Sequence, residues 1–356
     1  MRRGSRRRND GGRDGDGHGG DGREGRGGPR AGARRGARAG AAGAVPALLA
    51  AAVAAALAAG CTTSPAGRDD GRAPHLERSH GTHHRSGPVL AVKVDNAPAA
   101  RPQTGLDAAD VVYVEPVEGG LSRLMAVYAT TLPKSVGPVR SARESDLELL
   151  RQFDRPALAF SGAQNKLLPL IDRAPLRAAS PDEAPGAYTR DESRAAPHNL
   201  YVRPGRLLPE PGGAAALTTG FSYGEAPGGG RALASRTVRY PAAEFTFTWS
   251  ADRDRWLVSM DGEPAATAPG GGPAPATVVV QHVRVRESAF RDFRGANSPY
   301  VESVGSGKAE VLRDGRSYEA AWKREAAGKG TSFTTAGGAA VNFAEGPVWV
   351  VFTGTT

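Results

Sequence analysis

Apolar runs of strand length, broken by short polar turns, set the pattern from residue 89 onward. VLAVKV (89–94) has the β-branched, apolar character of a buried strand, and Asp95-Asn96-Ala97-Pro98 ends it in a turn. Thr104 is placed to cap a short helical turn over 106–109, ahead of a second strand at 111–114. Glu115-Pro116 leaves that strand, Gly119-Gly120 turns the chain, and 121–129 returns as a third apolar strand interrupted by Arg123. A buried arginine needs a carboxylate, and Glu115 and Glu118 are the nearest in sequence. Ser141-Ala142-Arg143-Glu144 has the S-x-x-E spacing of a capping box and predicts a helix to about Phe153, with Leu147 and Leu150 on its apolar face. PALAF (156–160), the small-residue turn Ser161-Gly162 and a helical stretch over 166–171 continue an α/β rhythm.

Beyond a Gly/Pro/Ala-rich stretch at 209–235, read as a linker or long surface loop, the periodicity changes to two. Phe245, Phe247 and Trp249 alternate, Asp252-Arg253-Asp254 turns, and Trp256, Val258 and Met260 alternate back, which is a β-hairpin. A continuous apolar strand covers 276–285, and Gly305-Ser306-Gly307, Asp314-Gly315 and the run around Trp349 punctuate further short strands. The Gly305-x-Gly307 pair reads as turn glycine, since no helix follows it, and Trp256, Trp322 and Trp349 read as core. The fold class is therefore α+β or α/β, a mixed N-terminal α/β domain (88–208) followed by a mostly antiparallel β domain (236–356).

The N-terminal segment follows different rules. Residues 1–60 hold twelve arginines against five acids, so of the whole-chain formal charge of +9 only +2 remains for the rest. The basic character belongs to the leader, and a nucleic-acid partner for the folded part does not follow from it. Residues 41–59 are nineteen small or apolar residues without a charge, ending at Gly60-Cys61. A basic opening, an apolar run and small residues at its end make an export signal over 1–60. The ending LAAGC resembles a bacterial lipobox around the chain's single cysteine, Cys61, although Ala58 stands where Leu is usual and Leu57 lies one step further out. The alternative is an uncleaved single-span anchor, since the run approaches the roughly 20 residues needed to cross a bilayer. With one cysteine, no intrachain disulfide forms. Residues 61–87 read as a flexible tether, and its His80, His83 and His84 lack the further ligands of a structural metal site. No metal or cofactor is expected.

Chemistry concentrates in 111–150. Arg140 and Arg143 flank Ser141 at a predicted helix start, where backbone N–H groups and two guanidiniums suit a phosphate or carboxylate. Asp95, Glu115 and Glu118 are the candidate acid or base groups of a glycosidase pair. The competing reading is that acids and arginines only neutralise one another. Neither a phosphate-binding P-loop nor a G-x-S-x-G nucleophile turn is present, which leaves little support for a serine hydrolase using Ser161 and His198.

The runs VKVDN, ARPQTGLDAADVVYVEPVEGGLSRLMAVY, VGPVRSAR, AFSGAQNK, AYTRD and PHNLYV resemble the YerB-like family of bacterial surface lipoproteins, over about 88–203, with a weaker likeness over about 245–352. The resemblance implies a two-part exported lipoprotein and supplies no reaction. Polar residues of these motifs, Asn96, Arg101, Asn165, Arg190, His198 and Asn199, join Arg123, Arg140, Ser141 and Arg143 as candidate ligand contacts. Two function classes follow. One is an envelope lipoprotein, anchored through Cys61 at the outer face of the cytoplasmic membrane, that binds cell-wall glycan or another anionic envelope component. The other is an enzyme acting on wall glycan or its lipid-linked pyrophosphate precursor, a glycosidase or a phosphotransferase.

Overall fold

The computed structural model describes residues 87–267, 271–291 and 295–355, all within one compact unit, Ser79–Thr356. The expected export signal, Cys61 and the tether through residue 86 lie outside the described residues.

In chain order the strands are β1 (Leu90–Asp95), β2 (Val111–Pro116), β3 (Ser122–Tyr128), β4 (Ala157–Ala159), β5 (Arg177–Ala179), β6 (Tyr188–Arg190) and β7 (Leu200–Val202) in the first half. The second half adds β8 (Arg231–Ala232), β9 (Ser235–Tyr240), β10 (Ala243–Ser250), β11 (Arg255–Met260), β12 (Glu263–Pro264), β13 (Thr277–Val283), β14 (Val285–Arg291), β15 (Asn297–Val301), β16 (Gly305–Arg313), β17 (Arg316–Arg324), β18 (Ser332–Thr334) and β19 (Val348–Gly354). Among the described residues the α-helices are short: α1 (Glu144–Leu150), α2 (Leu168–Arg173) and α3 (Pro204–Leu207).

One sheet runs through both halves, in the order β18-β17-β16-β13-β19-β2-β3-β1-β4-β5, with β8 added on β17. The seam is β19 against β2, parallel, with Val348 opposite Val111 and Val351 opposite Val114. Strand alternation gives the sheet two apolar faces. Leu90, Val92 and Val94 of β1, Val112 and Val114 of β2, and Leu124 of β3 pack with Trp349 against the antiparallel sheet β12-β11-β10-β9, through Phe245, Phe247, Trp256 and Met260. On the opposite face Ala91, Met125 and Tyr113 meet Leu149 and Leu150 of α1, Phe153 just after it, and Phe160 and Ile171 of the α2 region.

With 42% of residues in strands and 12% in helices, the molecule is mostly β. The α/β rhythm of the first half is present in part: β1, β4 and β5 run parallel with α2 in the β4–β5 crossover, but the helices have seven, six and four residues. The antiparallel character of the second half holds, apart from the parallel pair β13–β19.

Three local expectations are corrected. α1 is capped from Arg143, whose N–H donates to Asp146 Oδ2 at 2.7 Å, so the reciprocal partner is Asp146 and the helix starts two residues later than the Ser141 spacing implies. The turn over Leu106–Ala108 starts from Gly105, while the Thr104 N–H bonds to the Gly137 carbonyl. Gly305 and Gly307 lie inside β16 rather than in a turn; a Cβ on Gly307 would stand 2.7 Å from Trp322 Nε1. Trp256, Trp322 and Trp349 are core, as expected. The stretch 209–235 is packed: Phe221 contacts the rings of Phe333 and Phe343, and Gly230 lies against Tyr318.

Candidate functional site

The helical face of the sheet should be apolar, yet at one end of it four charged residues replace the alternating apolar ones. Glu115, Arg123 and Asp95 stand side by side, since Arg123 of β3 is in register with both Glu115 of β2 and Asp95 of β1. Lys93 lies one alternation step below Asp95. A segment through Val139 bridges to Val94, and the Arg140 N–H donates to the Lys93 carbonyl at 2.8 Å, which fixes Arg140 beside β1. The β6–β7 connection carries His198 to the same place, anchored where Val139 donates to the Leu200 carbonyl.

These side chains sort into three groups. The first is buried. Lys93, with no solvent exposure, donates to Glu115 and, at 2.6 Å, to Asp146. Two carboxyls against one ammonium leave a surplus negative charge away from water, which is expensive unless a proton neutralises it. Burial and the neighbouring Asp146 accordingly raise the Glu115 carboxyl to about 8, against the pull of Lys93. Among the described residues its Oε1 has no hydrogen-bond partner. Glu115 therefore cannot reach a ligand without opening the core.

The second group is saturated. Arg143 grips Glu118 through Nε at 2.7 Å and Nη2 at 2.8 Å, and the Ser298 hydroxyl donates to the same carboxylate. Burial works against the charge, but the hydrogen bonds and charge of Arg143, with Ser298, hold Glu118 down at about 2. Ser141, Arg143, Asn165, Phe290, Arg291 and Ser298 line an adjoining cavity of about 330 Å³.

The third group is not balanced. Asp95 Oδ2 lies 3.0 Å from Arg140 Nε and 2.7 Å from His198 Nδ1. The Arg140 N–H is not aimed at that oxygen, so its Nε is buried without a hydrogen bond among the described residues. Arg123, 9% exposed, donates Nη1 to the Ser141 carbonyl at 3.3 Å and forms no ion pair among the described residues. The expected Arg123–Glu115 or Arg123–Glu118 pair is not formed, because Lys93 and Arg143 have taken those acids. Burial first, then the charges of Arg143 and Arg140, lower Arg123 to about 10, with Glu118 and Asp95 opposing. The arginine remains a cation at neutral pH, under electrostatic stress that an anion would relieve.

The other candidates are supporting or distant. Asn96 donates to Ser122 at 2.9 Å and accepts from Gln103 and Arg101, and Arg101 also pairs with Asp261 at 2.8 Å. Arg190 donates to Asn199 at 2.8 Å and lines a separate hollow of about 500 Å³ with Arg194 and Tyr201. No hydrogen bond joins Ser161 to His198 among the described residues, and these residues contain no metal-ligating cluster.

Lys93 is the residue missed by sequence reasoning. The signal was available: a lone charge in the middle of an apolar six-residue strand must find buried acids. A groove of about 1190 Å³ between β9 and the polar outer face of β16–β17, floored by Lys308, Glu310 and Glu319, was also missed; alternating charges in those strands mark it.

Residues 76–216 match the N-terminal domain, and 236–350 the C-terminal domain, of a protein family described as of unknown function, DUF3048. The chain belongs to this family. A member-like relative is YerB of Bacillus subtilis (strain 168), named as a lipoprotein, 48% identical over 65 residues, 18% of this chain and 20% of YerB. The crystal structure of the YerB protein from Bacillus subtilis shares the fold, with a TM-score of 0.63 at 21% identity, covering 75% of this chain and 90% of that one. A further similarity, 31% over 164 residues, 45% of this chain and 67% of the other, is to the septum site-determining protein MinC of Ectopseudomonas mendocina (strain ymp). The family assignment stands on the two domain matches; the YerB structure shows the shared fold. Among the described residues no helix is long and apolar enough to cross a membrane.

Proposed function

We propose that this DUF3048 chain is an envelope lipoprotein, anchored through Cys61 at the outer face of the cytoplasmic membrane, that binds an anionic envelope ligand at Arg123 and Arg140. The observation that carries the reading is the unmet capacity of these two guanidiniums: among the described residues, a nearly buried arginine with no ion pair stands beside another whose buried N–H has no acceptor. Neighbouring acids are occupied, so stability alone gives no reason to retain the surplus cation; replacing it with an apolar side chain would relieve the fold. Arginines converging from β3 and from the segment beside β1 suit an oxyanion with oxygens in more than one direction, such as a phosphate. Arg143, held by Glu118, borders the site rather than contacting the anion.

Titration of the full-length protein in detergent with pyrophosphate and with carboxylate-bearing muropeptides tests the reading. Saturable pyrophosphate binding that weakens in Arg123→Met is expected; binding equal in wild type and variant would contradict it. Cys61→Ser should abolish lipid labelling and release the protein from membranes, and unchanged membrane retention would refute the anchor.

A further inference from the structure

The anion site carries a proton acceptor that simple binding does not need. Asp95 holds His198 Nδ1 at 2.7 Å, and His198 Nε2 has no protein partner among the described residues. With the Nδ1 proton directed at Asp95, the neutral ring presents its lone pair on Nε2. The His198 and Arg140 side chains are each 21% exposed, so solvent reaches both. Arg123 adjoins Asp95 by strand register, so base and cations converge on one carboxylate.

Resting on the anion-binding reading, we propose that the site hydrolyses phosphoanhydrides, with His198 as general base and Arg123 and Arg140 holding the phosphate oxygens. Water forms a bond to phosphorus as the bridging P–O bond breaks. The water proton passes to His198 Nε2, and the bonding pair leaves on the departing phosphate oxygen. The leaving-group class follows from the occupied acids. Glu118 is held by Arg143 and Ser298, Glu115 is buried on Lys93, and Asp95 is held by Arg140 and His198. Among the described residues no free carboxylic acid stands by to protonate an alkoxide, so the site suits a leaving group that departs without a proton, as a phosphate or an aryl oxide does.

The test uses full-length protein with inorganic pyrophosphate, read by phosphate release, and bis(p-nitrophenyl) phosphate, read by p-nitrophenolate. Wild type should cleave both. In His198→Asn the side-chain N–H still reaches Asp95 but no base remains. Turnover should fall about a hundredfold or more, with pyrophosphate affinity within about twofold of wild type. Added imidazole should restore turnover to His198→Ala, which a purely structural histidine would not allow. Undiminished turnover in His198→Asn, or wild type that binds pyrophosphate and cleaves neither probe, overturns the hydrolytic proposal and leaves the binding site standing. Absence of pyrophosphate binding overturns both.

Discussion

Two charged groups built on the same strand, two residues apart, have opposite fates. Lys93 sits under full cover with two carboxyls and no contact with solvent. Asp95 sits at the strand end with a histidine, an arginine and, in register, a second arginine that forms no ion pair among the described residues. The inner group has one negative charge too many and corrects it with a proton on Glu115; the outer group has a cation too many and no internal correction. Buried charge that serves the fold is neutralised by the fold. Charge left over at a solvent-reachable edge points to a ligand.

The contrast is broken most severely at Lys93. Lys93→Met should cost about 3–5 kcal/mol in denaturant unfolding, because Asp146 would then be buried without its cation. Glu115→Gln in the same chain should recover little of this loss.

Arg143→Ala strands Glu118 and should cost about 1.5–3 kcal/mol at neutral pH. Since the folded-state value of Glu118 is depressed to about 2 from an ordinary 4.5, the pair's contribution is present above 4.5 and lost as pH falls towards 2. Wild type and variant should therefore converge in stability over that acid range, as followed by thermal melts at stepped pH.

Glu115→Gln should be nearly silent below pH 4.5, under about 1 kcal/mol, where the carboxyl is protonated folded and unfolded and the amide mimics it, and should be more stable than wild type at pH 7. The pH profile separates them. A carboxyl raised to about 8 contributes stability that is full below 4.5 and declines as pH rises through 8. Wild type should lose stability across that window, and the variant should lose less.

The fold was legible where apolar runs or strict alternation marked strands: β1 to β3 by their apolar runs, and the β10–β11 hairpin by its alternation, with Phe245 opposite Met260 and Phe247 opposite Val258. Arginines near Glu115 and Glu118 were legible as candidates, but their pairing was not. Which cation takes which acid depends on long-range placement: Lys93 finds Asp146 53 residues away, and Ser298 reaches Glu118 across 180. The shared sheet was hidden for the same reason. Its seam joins β19 to β2, and hydrophobic periodicity identifies strands without naming their neighbours. The α1 cap was misplaced because Asp146 and Glu144 both suit a first turn, and only the backbone direction after Arg143 selects between them.

The most direct measurement is a paired titration and melt of wild type and Arg123→Met. The unbalanced-cation account predicts that pyrophosphate affinity falls about ten- to hundredfold, the loss of one charge-assisted contact of about 1.5–3 kcal/mol. It also predicts a ligand-free Tm that holds or rises, since a stressed buried charge is replaced by an apolar side chain of similar reach. A lowered Tm with unchanged pyrophosphate affinity would contradict it, making Arg123 a structural residue.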